Sequence, residues 1–416
     1  MKSYNEALNI LKKSYIKVDD EFIKSTDSLN RVCSKNIYSS FNYPSENNTS
    51  LDGFAVNSRD TQGIFKNKIK KLKVIGSISA GSKPFKKILK KNEVVEIMTG
   101  GILPKGSNTI IPIEKCTYVK DKENNYIVIK KKFKKFENVR FKGSDYKKKD
   151  LLIKKNTLIN SNHILTLKTL GVENIKVKKK INITFFSSGN EISEKNQIPN
   201  WKIRNSNHYY IKSLKNNFLY NFKNLGILRD RDEKKLYYKI NKILKSKTDI
   251  IITSGAVSKG KYDFIPKVIN KFNLSHFFKG VALRPGKPII FAKFKGKQKV
   301  VFGLPGNPIS TSACFRFFVA PYMSNILGLG EEKPIRAVLK NNFVKNKYFT
   351  RFAKSKLTTT KDGKLKVELL RGQESFRVKS FSKSNIWALL PAGKSKFKKG
   401  DLIDCFFPSY LNQTII

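Results

Sequence analysis

The chain has 416 residues, too many for one ordinary hydrophobic core and enough for two to four domains. Its 39% apolar and 12% aromatic content suffices for those cores, while 84 Lys+Arg against 31 Asp+Glu leave a formal charge of +53. The basic residues pepper nearly every segment instead of forming one stripe, which favours solvated surface over a dedicated nucleic-acid face. Cys33, Cys116, Cys314 and Cys405 lie far apart with no CxxC spacing, and so suggest neither a zinc knot nor a disulfide framework. No apolar leader region opens the chain and no run approaches the length of a membrane span, so a cytoplasmic protein is expected.

Ser3 and Glu6 have the spacing of a capping box before Ala7, Leu8, Leu11 and Tyr15, which predicts an amphipathic first helix. A polar, helix-compatible run follows from Asp20. From Ile37 the pattern changes, and Ser50 to Val56 reads as a loop entering a strand, although Asp52-Gly53 alone is what any turn would carry. Residues 51–140 read as a small β domain. Residues 1–50 and 141–177 then form a discontinuous N-terminal linking domain, whose second helix, Asn162 to Gly171, ends at glycine. Residues 178–329 alternate strands and helices, with strands at Ile181 to Phe186, Asp249 to Thr253 and Lys299 to Gly303. A helix is expected over Asn207 to Asn224, with Ile211, Leu214, Phe218 and Phe222 on one face, and another from Pro308 to Ala320. After residue 330 the signal is strands alone, with a hairpin at Asp362-Gly363, so residues 330–416 predict a C-terminal β barrel. The fold class is thus α/β plus β, with a central domain of mostly parallel sheet.

The chemistry gathers after the strands of the α/β domain, where open sheets bind ligands. Gly255 to Lys261 has the GxxxxGK spacing of a phosphate loop and follows a strand. Tyr262 stands where Ser or Thr would hold magnesium, and Pro266 interrupts the helix that should follow, so a plainer anion-cradling turn is the better reading. Met98 to Gly106 is a second glycine loop with amides free to meet an anion. Glu191, Asp230 and Asp263 each follow a strand of the same sheet. Carboxylates converging there, with lysines nearby, suit Mg2+ held against a phosphate, although each would also serve as a turn or cap residue. His163, His208 and His276 lack metal-ligand spacing, and no serine elbow accompanies them.

Seven motifs in one order then resemble the molybdopterin molybdenumtransferases of the MoeA type, whose relatives include the E domain of gephyrin. They are Leu51 to Val56, Met98 to Gly101 with Leu103-Pro104, Asn138 to Arg140 with Gly143 to Asp145, Ser188 to Glu191, Asp249 to Phe264, Arg284 to Pro288 and Leu304 to Pro308. The resemblance implies molybdenum cofactor biosynthesis: molybdenum from molybdate is inserted into adenylylated molybdopterin, AMP is released, and Mg2+ assists. It also implies a homodimer with composite active sites. Asp230 and Asp263 would bind metal or adenylate beside Glu191, and Asp52, Thr99 and Asp145 would approach from the partner subunit. Arg284 and Lys287 would stabilise charge at phosphate or molybdate. Gly100, Ser188, Gly189, Ser254, Gly255, Ser258, Gly260, Gly306 and Asn307 would line the substrate, with Pro305 and Pro308 shaping the last loop.

The chain departs from the family pattern at Arg284, Asn190 and Ala256, where Lys, Asp and a second glycine are usual, and these bear on rate or affinity. Arg and Lys differ as phosphate contacts, since one is a planar fork and the other a point charge. A non-catalytic scaffold of the same fold would have shed the carboxylates, whereas Asp52, Asp145, Glu191, Asp230 and Asp263 all remain. A nucleic-acid binder would show a basic stripe and steep salt dependence. Small-molecule substrates are therefore expected, with no membrane, no specific nucleic acid, and a possible contact with the pathway's adenylyl-transferring enzyme.

Overall fold

The computed structural model describes residues 1–64, 68–121, 124–214, 218–257 and 263–410. They divide into two compact units. Met1–Lys35, Asn156–Asn160 and Lys176–Ile416 form the first, and Asn36–Lys155 with Ser161–Ile175 form the second. The first helix lies in the first unit and the helix Ser161–Thr169 in the second.

In the first unit, apolar runs of Val, Ile and Phe give six strands: β1 (Ile181–Ser188), β2 (Tyr220–Leu228), β3 (Ile250–Ser254), β4 (Leu274–Lys279), β5 (Ile290–Phe294) and β6 (Val300–Leu304). They form one sheet in the order β2-β1-β3-β6-β5-β4. The first four neighbours run parallel and β5 and β4 antiparallel, so the sheet is mostly parallel as expected. Strands β3 and β6 are buried at every position, the burial pattern of strands covered on both faces. One face packs on a cluster that includes Phe185, Ile252 and Phe302, and the other on one that includes Phe186, Ile251 and Val301.

Helix α1 (Tyr4–Lys13) opens with the expected capping box, Ser3 Oγ accepting from Glu6 N at 3.2 Å and Glu6 Oε2 from Ser3 N at 2.7 Å. The expected helix over Asn207 to Asn224 is corrected. Helix α2 spans only Asn207–Ser213, and Phe222 lies in β2, where Tyr220–Leu228 pairs in parallel with β1. A local 3.6-residue coincidence yields there to sheet pairing and its burial. The helix-compatible run from Asp20 is likewise a strand, Asp20–Lys24, followed by a single 3-10 turn at Ser25–Asp27. Helix α3 (Glu233–Leu244) buries Leu236, Ile240 and Ile243. The final helix starts as α4 (Pro308–Cys314) and runs on through a π segment, Phe315–Val319, to Leu327.

The C-terminal strands β7 (Ile335–Leu339), β8 (Thr350–Thr359), β9 (Leu365–Leu369), β10 (Ile386–Leu390) and β11 (Leu402–Phe406) close on themselves in the order β8-β9-β7-β11-β10-β8. This is the expected barrel. Its floor meets Arg316, which is 2% exposed, forks onto both oxygens of Glu332 at 2.7 and 2.6 Å, and donates to Phe407 O.

The second unit is built on a six-stranded half-barrel. Gly53–Val56 lies between Thr109–Pro112 and Glu93–Ile97, followed by Lys70–Ile78, Asn124–Ile129 and Cys116–Asp121. Alternation sorts its residues to two cores, Phe54, Val56, Val94 and Ile111 to one and Ala55, Val95 and Ile110 to the other. Among the described residues no helix is long and apolar enough to cross a membrane.

Candidate active site

The register of the parallel sheet decides what can meet at its carboxyl edge. Ser188 pairs with Leu228, Ser187 with Ser254, and Ser254 with Leu304, so four neighbouring strands end level with one another. The segments that follow, 229–232, 189–191, 255–257 and 305–308, therefore stand side by side. Of the residues expected to form the site, this edge brings together Ser188, Gly189, Glu191, Asp230, Ser254, Gly255, Pro305, Gly306, Asn307 and Pro308. Ser258 and Gly260 lie outside the described residues, and Asp263, half-buried, comes immediately before the helix Ile265–Ile269 and its N-cap Phe264.

These loops pack backbone against backbone. A Cβ on Gly255, whose φ is +98°, would lie 2.2 Å from Ser188 O, and one on Gly306 would lie 3.5 Å from Gly255 Cα. Glycine at 255 is what allows its segment to approach Ser188 so closely, whereas the Gly306 distance is ordinary contact. Gly189 N donates to Leu228 O and Gly255 N to Leu304 O. The Glu191 carboxylate folds over Gly189, where a Cβ would lie within 2.4 Å of it. Arg229 gathers this corner by donating to Gly189 O and Ile192 O, both at 2.9 Å, and to Asn190 O at 3.4 Å. Asp230 N donates to Asn190 Oδ1 at 3.3 Å, which sets Asp230 beside the loop of Glu191.

Among the described residues no three His, Cys, Asp or Glu side chains form a group able to hold a metal. Glu191, Asp230 and Asp263 are accordingly not a preformed three-carboxylate cluster, because each follows a different strand. Mg2+ seldom needs such a cage, since it keeps waters and substrate phosphate oxygens and takes one or two protein carboxylates. Glu191 and Asp230 lie on adjacent loops, joined by the bond from Asp230 N to Asn190 Oδ1.

Arg284 and Lys287 lie beside the barrel. Leu283–Arg284 adds to β8 in parallel, with Arg284 opposite Arg351, and both Arg284 and Lys287 stand over the ring of Phe349 at 5.1 and 5.8 Å. Arg351 Nη2 donates to Gln373 O at 3.3 Å, and its buried Nε has no partner among the described residues. Two residues further on, Ser375 Oγ accepts from Asn307 Nδ2 at 3.1 Å. Asn307 is the backbone N-cap of α4, yet its side chain caps nothing and turns to Ser375. The loop is braced from beneath by Lys354, 1% exposed, whose Nζ donates to Glu374 O and Arg377 O at 3.1 and 3.0 Å. Burial pushes this ammonium down to about 8. Arg351 and Ser375 escaped sequence reasoning because the barrel carries no sharp motif, and only pairing across strands brings them forward.

In the second unit, Asp52 and Thr99 meet directly. Asp52 Oδ1 accepts from Thr99 N at 2.7 Å and from Thr99 Oγ1 at 2.8 Å, and these two bonds hold the carboxyl below its ordinary range. Gly100, at φ +83°, turns the chain so that its N–H reaches Thr49 O. Asp145 is exposed and lies two residues after Gly143, whose N–H donates to Pro44 O. The strand Asn48–Thr49 lies between these parts, pairing with Val139–Arg140 and bonded to Gly100 and Gly101.

Three family models cover almost the whole chain: MoeA N-terminal region (domain I and II) over residues 2–171, probable molybdopterin binding domain over 184–325, and MoeA C-terminal region (domain IV) over 336–406. A molybdopterin molybdenumtransferase of Staphylococcus epidermidis is 31% identical over 97% of this chain and 94% of its own. The chain belongs to the MoeA family. One from Staphylococcus aureus is 32% identical over 91% of this chain and 88% of its own. The molybdopterin biosynthesis MoeA protein of Pyrococcus horikosii superposes with a TM-score of 0.82 at 27% identity, covering 98% of this chain and 99% of that one. As a MoeA-type chain it is a transferase of molybdenum cofactor biosynthesis, and the loops at the sheet edge of the first unit fall within the stretch matched by the probable molybdopterin binding domain.

Proposed function

We propose that the chain takes adenylylated molybdopterin and molybdate, that the phosphoanhydride breaks as an oxygen of water or molybdate takes the phosphorus and AMP leaves, and that the two dithiolene sulfurs bond molybdenum in place of molybdate oxygen, which departs as water with the thiol protons. The observation that carries this reading is the level ending of four parallel strands in glycine- and proline-rich loops, two of which carry Glu191 and Asp230. Such loops cradle phosphate through N–H groups, while Arg284, Lys287 and the neighbouring Arg351 offset charge on a phosphate or a second oxyanion. Ser188, Gly189, Ser254, Gly255, Gly306 and Asn307 line the adenylate and pterin phosphate, and Pro305 and Pro308 hold the shape of the last loop. Asp230, with Glu191 and Asp263 in support, orients the phosphates. Mg2+, when bound there, neutralises charge as the P–O bond lengthens. Asp52, Thr99 and Asp145 belong to the same reaction but come from the second subunit of a cytoplasmic homodimer, with four domains at the boundaries expected from sequence.

Purified protein mixed with adenylylated molybdopterin, Mg2+ and molybdate should release AMP and activate a cofactor-free molybdoenzyme. Asp263→Asn should abolish AMP release with the thermal midpoint unchanged. Wild-type turnover in that variant would remove Asp263 from the mechanism, and folded wild-type protein that fails both assays would remove the reading itself.

A further inference from the structure

Three neighbouring strand ends of the site are tied to a segment that no motif singled out. Asn205 and Asn207 are 5% and 7% exposed and stand immediately before and at the start of α2. Asn205 Oδ1 accepts from Ser187 Oγ at 2.7 Å, and its Nδ2 donates to Glu194 Oε1 at 2.9 Å. Asn207 Nδ2 donates to Ser254 Oγ at 2.6 Å and to Gly306 O at 2.8 Å. Ser254 Oγ in turn lies 3.3 Å from Pro305 O and 3.4 Å from Thr311 Oγ1. One side chain therefore holds the end of β1, and a second, two residues on, holds the end of β3 and the loop after β6.

We infer that Asn205 and Asn207 form a brace that fixes the spacing of the three glycine loops, with Asn207 as the positioning residue for the phosphate-bearing part of the substrate. Arg229 ties the Gly189 loop through its carbonyls, and Asn207 is bonded to both Ser254, at the end of β3, and Gly306, in the loop after β6. A primary amide is suited to the task at residue 207 because its two N–H groups serve a hydroxyl and a carbonyl at once. A carboxylate of the same shape would offer only acceptors, facing the Gly306 carbonyl. The brace touches no reacting atom. Its effect is geometric, and displacements of about 1 Å at a site cost on the order of a hundredfold in rate.

The inference rests on the adenylate reading of the site, and the test keeps the two apart. AMP binding by calorimetry, AMP release and thermal midpoint are measured for wild type, Asn207→Ala, Asn207→Asp and Thr184→Val. Thr184 Oγ1 shares a buried 2.8 Å bond with Thr248 Oγ1 nearer the opposite end of the strands, so Thr184→Val reports the cost of losing one buried bond of the same sheet. Asn207→Ala and Asn207→Asp should weaken AMP binding and lower kcat/KM for AMP release, each by about tenfold or more. Thr184→Val should leave both unchanged. Equal losses in Thr184→Val and Asn207→Ala would make the role of Asn207 purely structural and overturn the inference, as would wild-type AMP binding in both Asn207 variants. Wild-type protein that neither binds AMP nor releases it would instead overturn the adenylate reading.

Discussion

The two units present their candidate site residues in opposite ways. At the sheet edge of the first unit the proposed site is mostly main chain, with Gly255 lying against Ser188 O and the Asn207 side chain bonded behind it. In the second unit the corresponding element is one exposed carboxylate, Asp52, fixed by the backbone and hydroxyl of a single threonine. A site made of backbone tolerates almost no added atom, whereas a site made of one side chain tolerates shape changes and fails through charge.

The largest expected effect breaks the backbone half. Gly255→Ala places a methyl against Ser188 O and forces an alanine to φ +98°, so about 3 kcal/mol or more of stability should be lost together with AMP release. Gly296→Ala is the control, since its φ of +68° is equally left-handed but nothing lies within 4 Å of the new Cβ. It should cost about 1 kcal/mol and leave activity intact. Chemical denaturation of the two variants side by side separates crowding from backbone strain. Similar losses would show that close approach is not what glycine supplies at residue 255.

A smaller effect is expected in the second unit. Thr99→Val keeps the backbone N–H but removes the hydroxyl, so the Asp52 carboxyl should return toward the usual carboxylate range. A carboxyl with a lowered folded pKa stabilises the fold above its unfolded pKa, and that contribution is lost as pH falls through the folded value. In Thr99→Val the loss should therefore be complete at a higher pH, and the acid limb of AMP release should move up with it. At neutral pH, where Asp52 stays ionised in both proteins, the rate should fall only about threefold to tenfold. An unmoved acid limb, with the Asp52 carboxyl followed by NMR, would separate this pair from the reaction.

This contrast also explains what the sequence made legible. Loops such as Ser188 to Glu191 and Leu304 to Pro308 can be read because a backbone site leaves its mark as glycine and proline at fixed offsets from apolar strands. The barrel could be read from Asp362-Gly363 and short alternating runs. The braces could not. Asn207 forms its two bonds only when β3 and β6 are neighbours, and Arg351 meets Arg284 only because Leu283–Arg284 joins β8, so both depend on pairings between residues far apart in the chain. The overlong helix from Asn207 had the same cause, since the pairing of β2 with β1 overrode a spacing that looked helical by itself.

The smallest expected effect lies within the first unit, at Asn190, where a side chain rather than a glycine meets the neighbouring loop. Asn190 Oδ1 accepts the N–H of Asp230, while the backbone carbonyl of Asn190 accepts from Arg229 and Lys202. Asn190→Asp keeps every one of these bonds, because the carboxylate is an acceptor in the same place. Stability should therefore change by no more than about 0.5 kcal/mol. The added charge lies next to Glu191 and Asp230, and should make the corner bind Mg2+ severalfold more tightly in the presence of AMP, read by calorimetry. Tighter Mg2+ binding without a change in fold would place the ion at this corner. An unchanged affinity would move it elsewhere, and would leave the carboxylates of the first unit acting on the substrate by orientation alone.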